Sequence, residues 1–316
     1  MNPAEQMKRA ILLADLKDFV GADAVCEEIC VASPDQPDGY YLRGLIAFRS
    51  GLLERALQYL SQAETLGSTE VGLKRSLALI LLAQADYDGA MVRYRDIAAQ
   101  GALDQQDALP LAQLGEAFRD EGAIGLAMEF FTHSRSLNSK NNPATVGLFL
   151  CAQMTCDWQE IAALEKEVEA LTQGALTDGE VPVESPFVHV TRVMDSEMNY
   201  AVARAWSNSL KIDGLKRSHK QSTKDRIRLG YISSDFHEHA TAYLMHRLFK
   251  LHDKQHFEVF AYSCDAPSDS RLRREIESDC DFFFDITGWS ADKAAQHISK
   301  NGIDILIDLK GHTRKN

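Results

Sequence analysis

Along the first 142 residues, small and apolar positions recur with the spacing of paired amphipathic helices. Ala22, Ala56 and Ala90 are each separated by 34 residues, and Ala127 follows Ala90 by 37. Gly44, Ala78 and Gly115 stand 12 before their alanines, and Gly51, Ala85 and Gly122 stand five before. Phe19 and Tyr87 lie three before, Tyr94 and Phe131 four after, Ala63 seven after Ala56, and Pro34 twelve after Ala22. A small residue at constant phase lets two helices cross closely, and an aromatic beside it fills the remaining gap. A period near 34 is what stacked helix-turn-helix units produce. Three positions depart from the pattern. Arg43 holds an apolar phase, Leu60 replaces an aromatic, and the third-to-fourth connection gains three residues within Gly101–Asp107. That gain falls between units, where a solenoid tolerates insertion.

These phases resemble the tetratricopeptide repeat. Asn141-Asn142-Pro143 reads as a helix stop. Residues 146–154 and 158–171 then read as two helices joined at Cys156-Asp157-Trp158, with Trp158 standing where Tyr87 stands, as in a degenerate fifth unit. Residues 174–186, holding Gly179, Pro182 and Pro186, read as a loop. Residues 195–210 read as a helix with Met198, Val202, Ala205 and Trp206 at its apolar positions. Residues 211–224 are basic and polar and read as a surface connection. They lack the interleaved aromatics on which single-stranded nucleic acid stacks.

From Asp225 the period changes. Short β-rich runs at 227–232, 257–262, 282–286 and 303–309 alternate with helical stretches at 241–251, 270–278 and 290–300. Ser290 caps the last of these, and Asn301-Gly302 stops it. Strands alternating with helices predict a parallel sheet with right-handed crossovers, which binds ligands at the carboxyl ends of its strands. The expected fold is therefore α followed by α/β. It comprises a repeat solenoid over 1–155, a helical connector over 156–224, and a partial Rossmann-like parallel domain over 225–316. Four strands are few for such a sheet, so the chain reads as a piece of a longer protein. The alternative is a small sheet packed on the helical part.

Composition narrows the setting. The 316 residues carry a formal charge of −12. Residues 1–158 hold 13 Lys/Arg against 21 Asp/Glu, a net −8. An acidic solenoid is a poor binder of phosphate backbones, which need clustered Lys and Arg. The six cysteines form no CxxC pair, and Cys26 and Cys30 sit four apart on a helix as packing residues. No 18-residue apolar run exists, and the N-terminal amphipathic stretch is broken by Asp15 and Lys17, unlike a signal peptide. The expected location is cytoplasmic, with no membrane and no nucleic-acid partner.

The chemistry-bearing residues cluster after the first strand. Gly230 stands alone, so no GxGxxG or Walker-type phosphate loop is present there. The run that follows is Ser234-Asp235-Phe236-His237-Glu238-His239-Ala240-Thr241. His239 falls just before a helix, whose positive dipole end favours a neutral imidazole. Such a group serves either as a general base or as a hydrogen-bond acceptor. Thr241 either caps the helix or hydrogen-bonds a ligand. Asp235 either orients a histidine or caps a turn. His237 and His239 supply half a metal site, but no Cys or carboxylate at suitable spacing completes it, and no metal is expected. Loop histidines are ordinarily solvated groups, yet His312 at the end of the fourth strand places a second one on the same ligand-facing edge. Because His239 is read as a loop residue, its replacement by alanine is expected to spare stability.

Several segments taken together carry a wider resemblance. They are RLGYISSDF (Arg228–Phe236), His239, Thr241, LMH (Leu244–His246), FEVFAYS (Phe257–Ser263) and NGIDILIDLKGHT (Asn301–Thr313). They resemble the protein O-linked N-acetylglucosaminyltransferases of glycosyltransferase family 41. Cys156-Asp157-Trp158 and Ser185-Pro186-Phe187 are similar to its bacterial members. The resemblance implies tetratricopeptide repeats ahead of a GT-B catalytic region with two Rossmann-like halves, of which this chain would hold the first. It implies an inverting, metal-independent transfer of N-acetylglucosamine from UDP-N-acetylglucosamine to Ser or Thr hydroxyls, with no further cofactor. The repeats would hold acceptor proteins or peptides. His239 would be the active-site histidine that has been proposed as base in the family. Asp235, Thr241, Gly311, His312 and Thr313 would face the substrates. Departures lie at His237-Glu238, where the family often has Gly-Asn, and at Ala240, where it has proline. With the half that binds most of the UDP absent, residues 1–316 are expected to transfer nothing by themselves. A different class of reading is a repeat adaptor with a degenerate transferase part, and a narrower one is another sugar or an Asn acceptor.

Overall fold

A computed structural model describes residues 2–139, 143–210 and 225–311. The expected helix stop at Asn141-Asn142 and the basic stretch 211–224 lie outside the described residues. The chain divides into two units, Met1–Glu184 and Ser185–Asn316, so the division falls inside the stretch read as a connector.

The first unit is a tetratricopeptide-type ladder of helix pairs. Its helices are α1 (Pro3–Asp15), α2 (Phe19–Ala32), α3 (Pro37–Arg49), α4 (Leu53–Thr65), α5 (Val71–Ala83) and α6 (Tyr87–Ala99), followed by α7 (Ala108–Asp120), α8 (Ile124–Leu137), α9 (Pro143–Thr155) and α10 (Trp158–Asp178). The repeat phases lie at the helix contacts. Ala22, Ala56, Ala90 and Ala127 are fully buried. A Cβ on Gly44 would lie 2.6 Å from the Leu60 side chain, and one on Gly115 would lie 2.6 Å from the Phe131 ring. The missing side chains are thus the space their partners occupy.

The sequence departures also find local reasons. Arg43 reaches Asp23 at 2.7 Å and lies over the Tyr59 ring at 4.5 Å, so its apolar stem packs while its charge is paired. The three-residue gain forms a short 3-10 turn at Gln105–Asp107. Arg75 holds it from α5, donating to buried Asp107 at 2.7 Å and to Asp104 at 2.9 Å.

Each turn inside a helix pair places one residue in the left-handed region: Lys17 (φ 63), Gly51 (φ 80), Ala85 (φ 59), Gly122 (φ 79) and Cys156 (φ 57). Cys156 extends the series to α9 and α10, which form a fifth pair. Here α10 differs from expectation. It runs through Gly174 to Asp178 and stops at Gly179 (φ 74), so the loop begins five residues later than read. A single glycine inside a helix costs only about 1 kcal/mol, too little to end a long one. The left-handed conformation costs alanine roughly 1–2 kcal/mol, and glycine returns part of this through unfolded-chain entropy. Ala85→Gly is therefore expected to raise stability by about 0.5–1 kcal/mol. The check is a higher urea midpoint at unchanged slope.

The second unit opens with α11 (Pro186–Arg192), a short helix lying between the loop expected over 174–186 and the helix expected over 195–210, where the sequence pattern predicts no element. Ser185 caps it through the Val188 amide, and Pro186 sits at its first turn. Asp195 caps α12 (Ser196–Ser209). The strands are β1 (Ile227–Ser233), β2 (Phe257–Ser263), β3 (Phe282–Asp285) and β4 (Ile305–Asp308). They form one parallel sheet in the order β3-β2-β1-β4. Between them run α13 (Ala240–Leu251), α14 (Arg271–Asp279) and α15 (Ala291–Lys300). One sheet face buries Leu229, Tyr231, Val259 and Ala261 with Phe249 of α13 and Ile276 of α14. The other gathers Phe260, Tyr262 and Ile286 with Ile298 of α15 and Trp289. Both faces are covered, as a parallel sheet requires.

Candidate functional site

The chain steps from β1 to β2 to β3 in one direction and then returns to place β4 on the other side of β1. The strand order therefore reverses between β1 and β4. Open α/β sheets bind ligands in the crevice outside the carboxyl ends at such a reversal. The segments meeting there are the run after β1 and the residues after β4.

Phe236 pins the first of these. It is buried, with its ring 5.9 Å from both Phe249 and Phe283. That anchor turns the neighbouring Asp235 inward, where it is only 5 % exposed. The Asp235 amide donates to the Ser233 hydroxyl at 3.0 Å. Its carboxylate accepts from the Thr241 hydroxyl at 3.2 Å and from Lys310 Nζ at 2.9 and 3.1 Å. Burial acts to raise the Asp235 pKa. The Lys310 hydrogen bond and charge, with the Thr241 hydrogen bond adding to them, outweigh it and hold the group below the usual carboxylate value.

His239 is the N-cap of α13. Its backbone is extended (φ −139, ψ 154), and its Nδ1 accepts the Thr241 amide at 3.2 Å. The same nitrogen stands 3.3 Å from Asp235 Oδ2. This corrects the reading of His239 as a replaceable loop residue: the ring satisfies an amide that the helix leaves without an intrahelical partner. Ala240 then occupies the first helical position, the place where proline is tolerated best. The change from the family's proline thus leaves the helix start intact.

The other departures are also anchored. His237 Nε2 lies 3.5 Å from Asp265 after β2. Glu238 accepts from the Leu272 amide at 3.3 Å. A hydrogen bond from the Tyr243 hydroxyl, with the Leu272 amide and Arg271 assisting, lowers the Glu238 pKa. The His237 and His239 rings are 5.7 Å apart. Among the described residues no group of three His, Cys, Asp or Glu is placed to hold a metal.

Of the residues singled out from sequence, Asp235, His239 and Thr241 converge on one hydrogen-bonded cluster. Gly311 is exposed and left-handed (φ 54), one residue beyond the lysine that binds this cluster. His312 and Thr313 lie outside the described residues. Lys310 is the member the sequence reading missed. Its signal was available: it stands just past the fourth strand, in a segment where ligand-facing residues were sought.

The model of glycosyl transferase family 41 matches residues 155–316, and the chain belongs to that family. Among curated relatives, the chain is 28 % identical over 175 residues to the Arabidopsis thaliana protein named "Probable UDP-N-acetylglucosamine--peptide N-acetylglucosaminyltransferase SEC", covering 51 % of this chain and 18 % of that one. It is 27 % identical over 175 residues to the Caenorhabditis elegans UDP-N-acetylglucosamine--peptide N-acetylglucosaminyltransferase, covering 51 % of this chain and 15 % of the relative. A solved mutant of Thermobaculum terrenum O-GlcNAc transferase aligns at 17 % identity with a TM-score of 0.36, covering 99 % of this chain and 47 % of that one. The chain thus spans less than a fifth of the length of these two curated relatives. No helix among the described residues is long and apolar enough to cross a membrane.

Proposed function

We propose that this chain is the repeat arm and first catalytic half of a protein glycosyltransferase. The enzyme moves N-acetylglucosamine from UDP-N-acetylglucosamine to Ser or Thr hydroxyls of acceptor proteins held by the repeats. The observation that carries the reading is the convergence of Asp235, Thr241, His239 and Lys310 at the β1/β4 reversal, inside the segment matched by the family.

The transfer is inverting and needs no metal. The acceptor oxygen attacks the anomeric carbon, the bond to the diphosphate breaks with its electron pair, and the hydroxyl proton passes to a basic group. Such a step calls for fixed dipoles around the charge that develops. We assign His239 as the catalytic residue on this edge. Asp235, Thr241 and the loop from Gly311 through His312 and Thr313 are assigned to substrate positioning. Donor and acceptor specificity come from the UDP sugar and the polypeptide, with no other cofactor. The six cysteines form no disulfide, in keeping with a cytoplasmic enzyme.

The test is an assay of the full-length protein with radiolabelled UDP-N-acetylglucosamine and a mixed cell lysate. Label on protein Ser or Thr is the expected result. No label, with lysate proteins still retained by the repeats, would replace the enzyme with the adaptor.

A further inference from the structure

We propose that Lys310 is a positioning residue that fixes which ring nitrogen of His239 carries the proton. Two groups compete for His239 Nδ1. The Thr241 amide donates to it at 3.2 Å, and Asp235 Oδ2 lies 3.3 Å away. One nitrogen cannot serve both. To accept an amide proton it must be bare, and to donate to a carboxylate it must be protonated.

Lys310 decides the contest by meeting the carboxylate's demand from the other side. Its ammonium bridges both Asp235 oxygens at 2.9 and 3.1 Å, and the Thr241 hydroxyl supplies Oδ2 at 3.2 Å. The pair is well enclosed, with side chains only 13 % and 7 % exposed, so the ammonium is little diluted by water. The backbone aims it. The Leu309 amide still pairs with Ile232 at 3.1 Å, continuing the β4–β1 ladder, and the Lys310 amide then donates to Asp308 at 2.8 Å. The lysine is thus delivered beside the residues that follow β1.

With the carboxylate satisfied, Nδ1 stays bare and caps α13, and the neutral ring carries its proton on Nε2. His239 then presents an N–H donor at the strand-order reversal, while its one lone pair is spent on the helix. What this donor serves rests on the transferase reading: it offers a hydrogen bond to an oxygen of donor or acceptor and does not accept the hydroxyl proton. The proton position itself does not depend on that reading.

The experiment is long-range nitrogen–proton NMR on the 316-residue chain with labelled histidine rings, with His239 assigned by the signal lost in His239→Ser. The wild-type ring is expected to show bare Nδ1 and protonated Nε2. Lys310→Met is expected to move protonation onto Nδ1. Lys310→Arg, and the double variant Lys310→Met with Asp235→Asn, are expected to return it to Nε2. A general loss of packing would not be reversed by removing the carboxylate. A wild-type ring protonated on Nδ1 would overturn the proposal without any variant. So would an unchanged tautomer in a folded Lys310→Met chain. In the full-length enzyme, Lys310→Met should lower kcat with little change in acceptor KM, and Lys310→Arg should restore it. Absence of transfer by the wild type would sink the transferase reading and leave the NMR result standing.

Discussion

Phe131→Ala is expected to destabilise the helical unit by about 3–5 kcal/mol, the range for removing a buried aromatic from a core that cannot collapse. The ring is fully buried on α8. It fills the space left by two glycines at once. A Cβ on Gly115 would meet its Cδ1 at 2.6 Å, and a Cβ on Gly147 of α9 would also fall inside contact distance of the ring. Arg119 of α7 adds its guanidinium 5.8 Å from the ring centroid. Two helices, α7 and α9, therefore close on one side chain of α8, and alanine at 131 would face backbone on both sides with nothing long enough to fill in. The converse substitution, Gly115→Ala, is expected to overpack the site at a cost of about 1–3 kcal/mol. Combined with Phe131→Ala it should be much less costly than the sum, because the added methyl enters vacated space. Urea unfolding followed by circular dichroism reads all three. A loss below about 1 kcal/mol for Phe131→Ala would mean that the helices re-close over the gap.

The repeat was legible because its signal is volume. Small residues and their fillers must stay in phase, so Ala90 with Ala78 and Tyr94, and Ala127 with Gly115 and Phe131, mark the helix contacts in the sequence itself. The α/β period was legible for the same reason, and Ser290 caps the helix its position suggested. What escaped depended on contacts distant in sequence or on weak local signals. Gly174 looks like a breaker, but the stop belongs to Gly179, whose left-handed φ only the fold reveals. The seven residues of α11 are too few for a period. Asp235 and Lys310 are 75 residues apart, and nothing local links them. Only the strand order brings them together, which is also why the alternatives for Asp235 and Thr241 stayed open at the level of sequence. The resemblance located the edge, and the register of β4 against β1 supplied the lysine.

His239 separates structure from chemistry in the second large effect. In the full-length protein, His239→Ala and His239→Ser are both expected to lower turnover by about 10²-fold or more, the usual loss when a fixed donor at a developing charge is removed. They should differ in stability. Alanine removes the acceptor for the Thr241 amide and should cost about 1 kcal/mol in the α/β unit, whereas serine is itself a strong N-cap and restores that bond. The half-exposed ring makes few packing contacts whose loss would blur the comparison, its side chain being 42 % accessible. Thermal melts and single-turnover rates on the two variants therefore form a matched pair. Equal, low turnover with unequal stability places the imidazole in the reaction. Full turnover in His239→Ser, with a weakened His239→Ala, would reduce His239 to a helix cap and move the catalytic assignment to other residues of the same crevice.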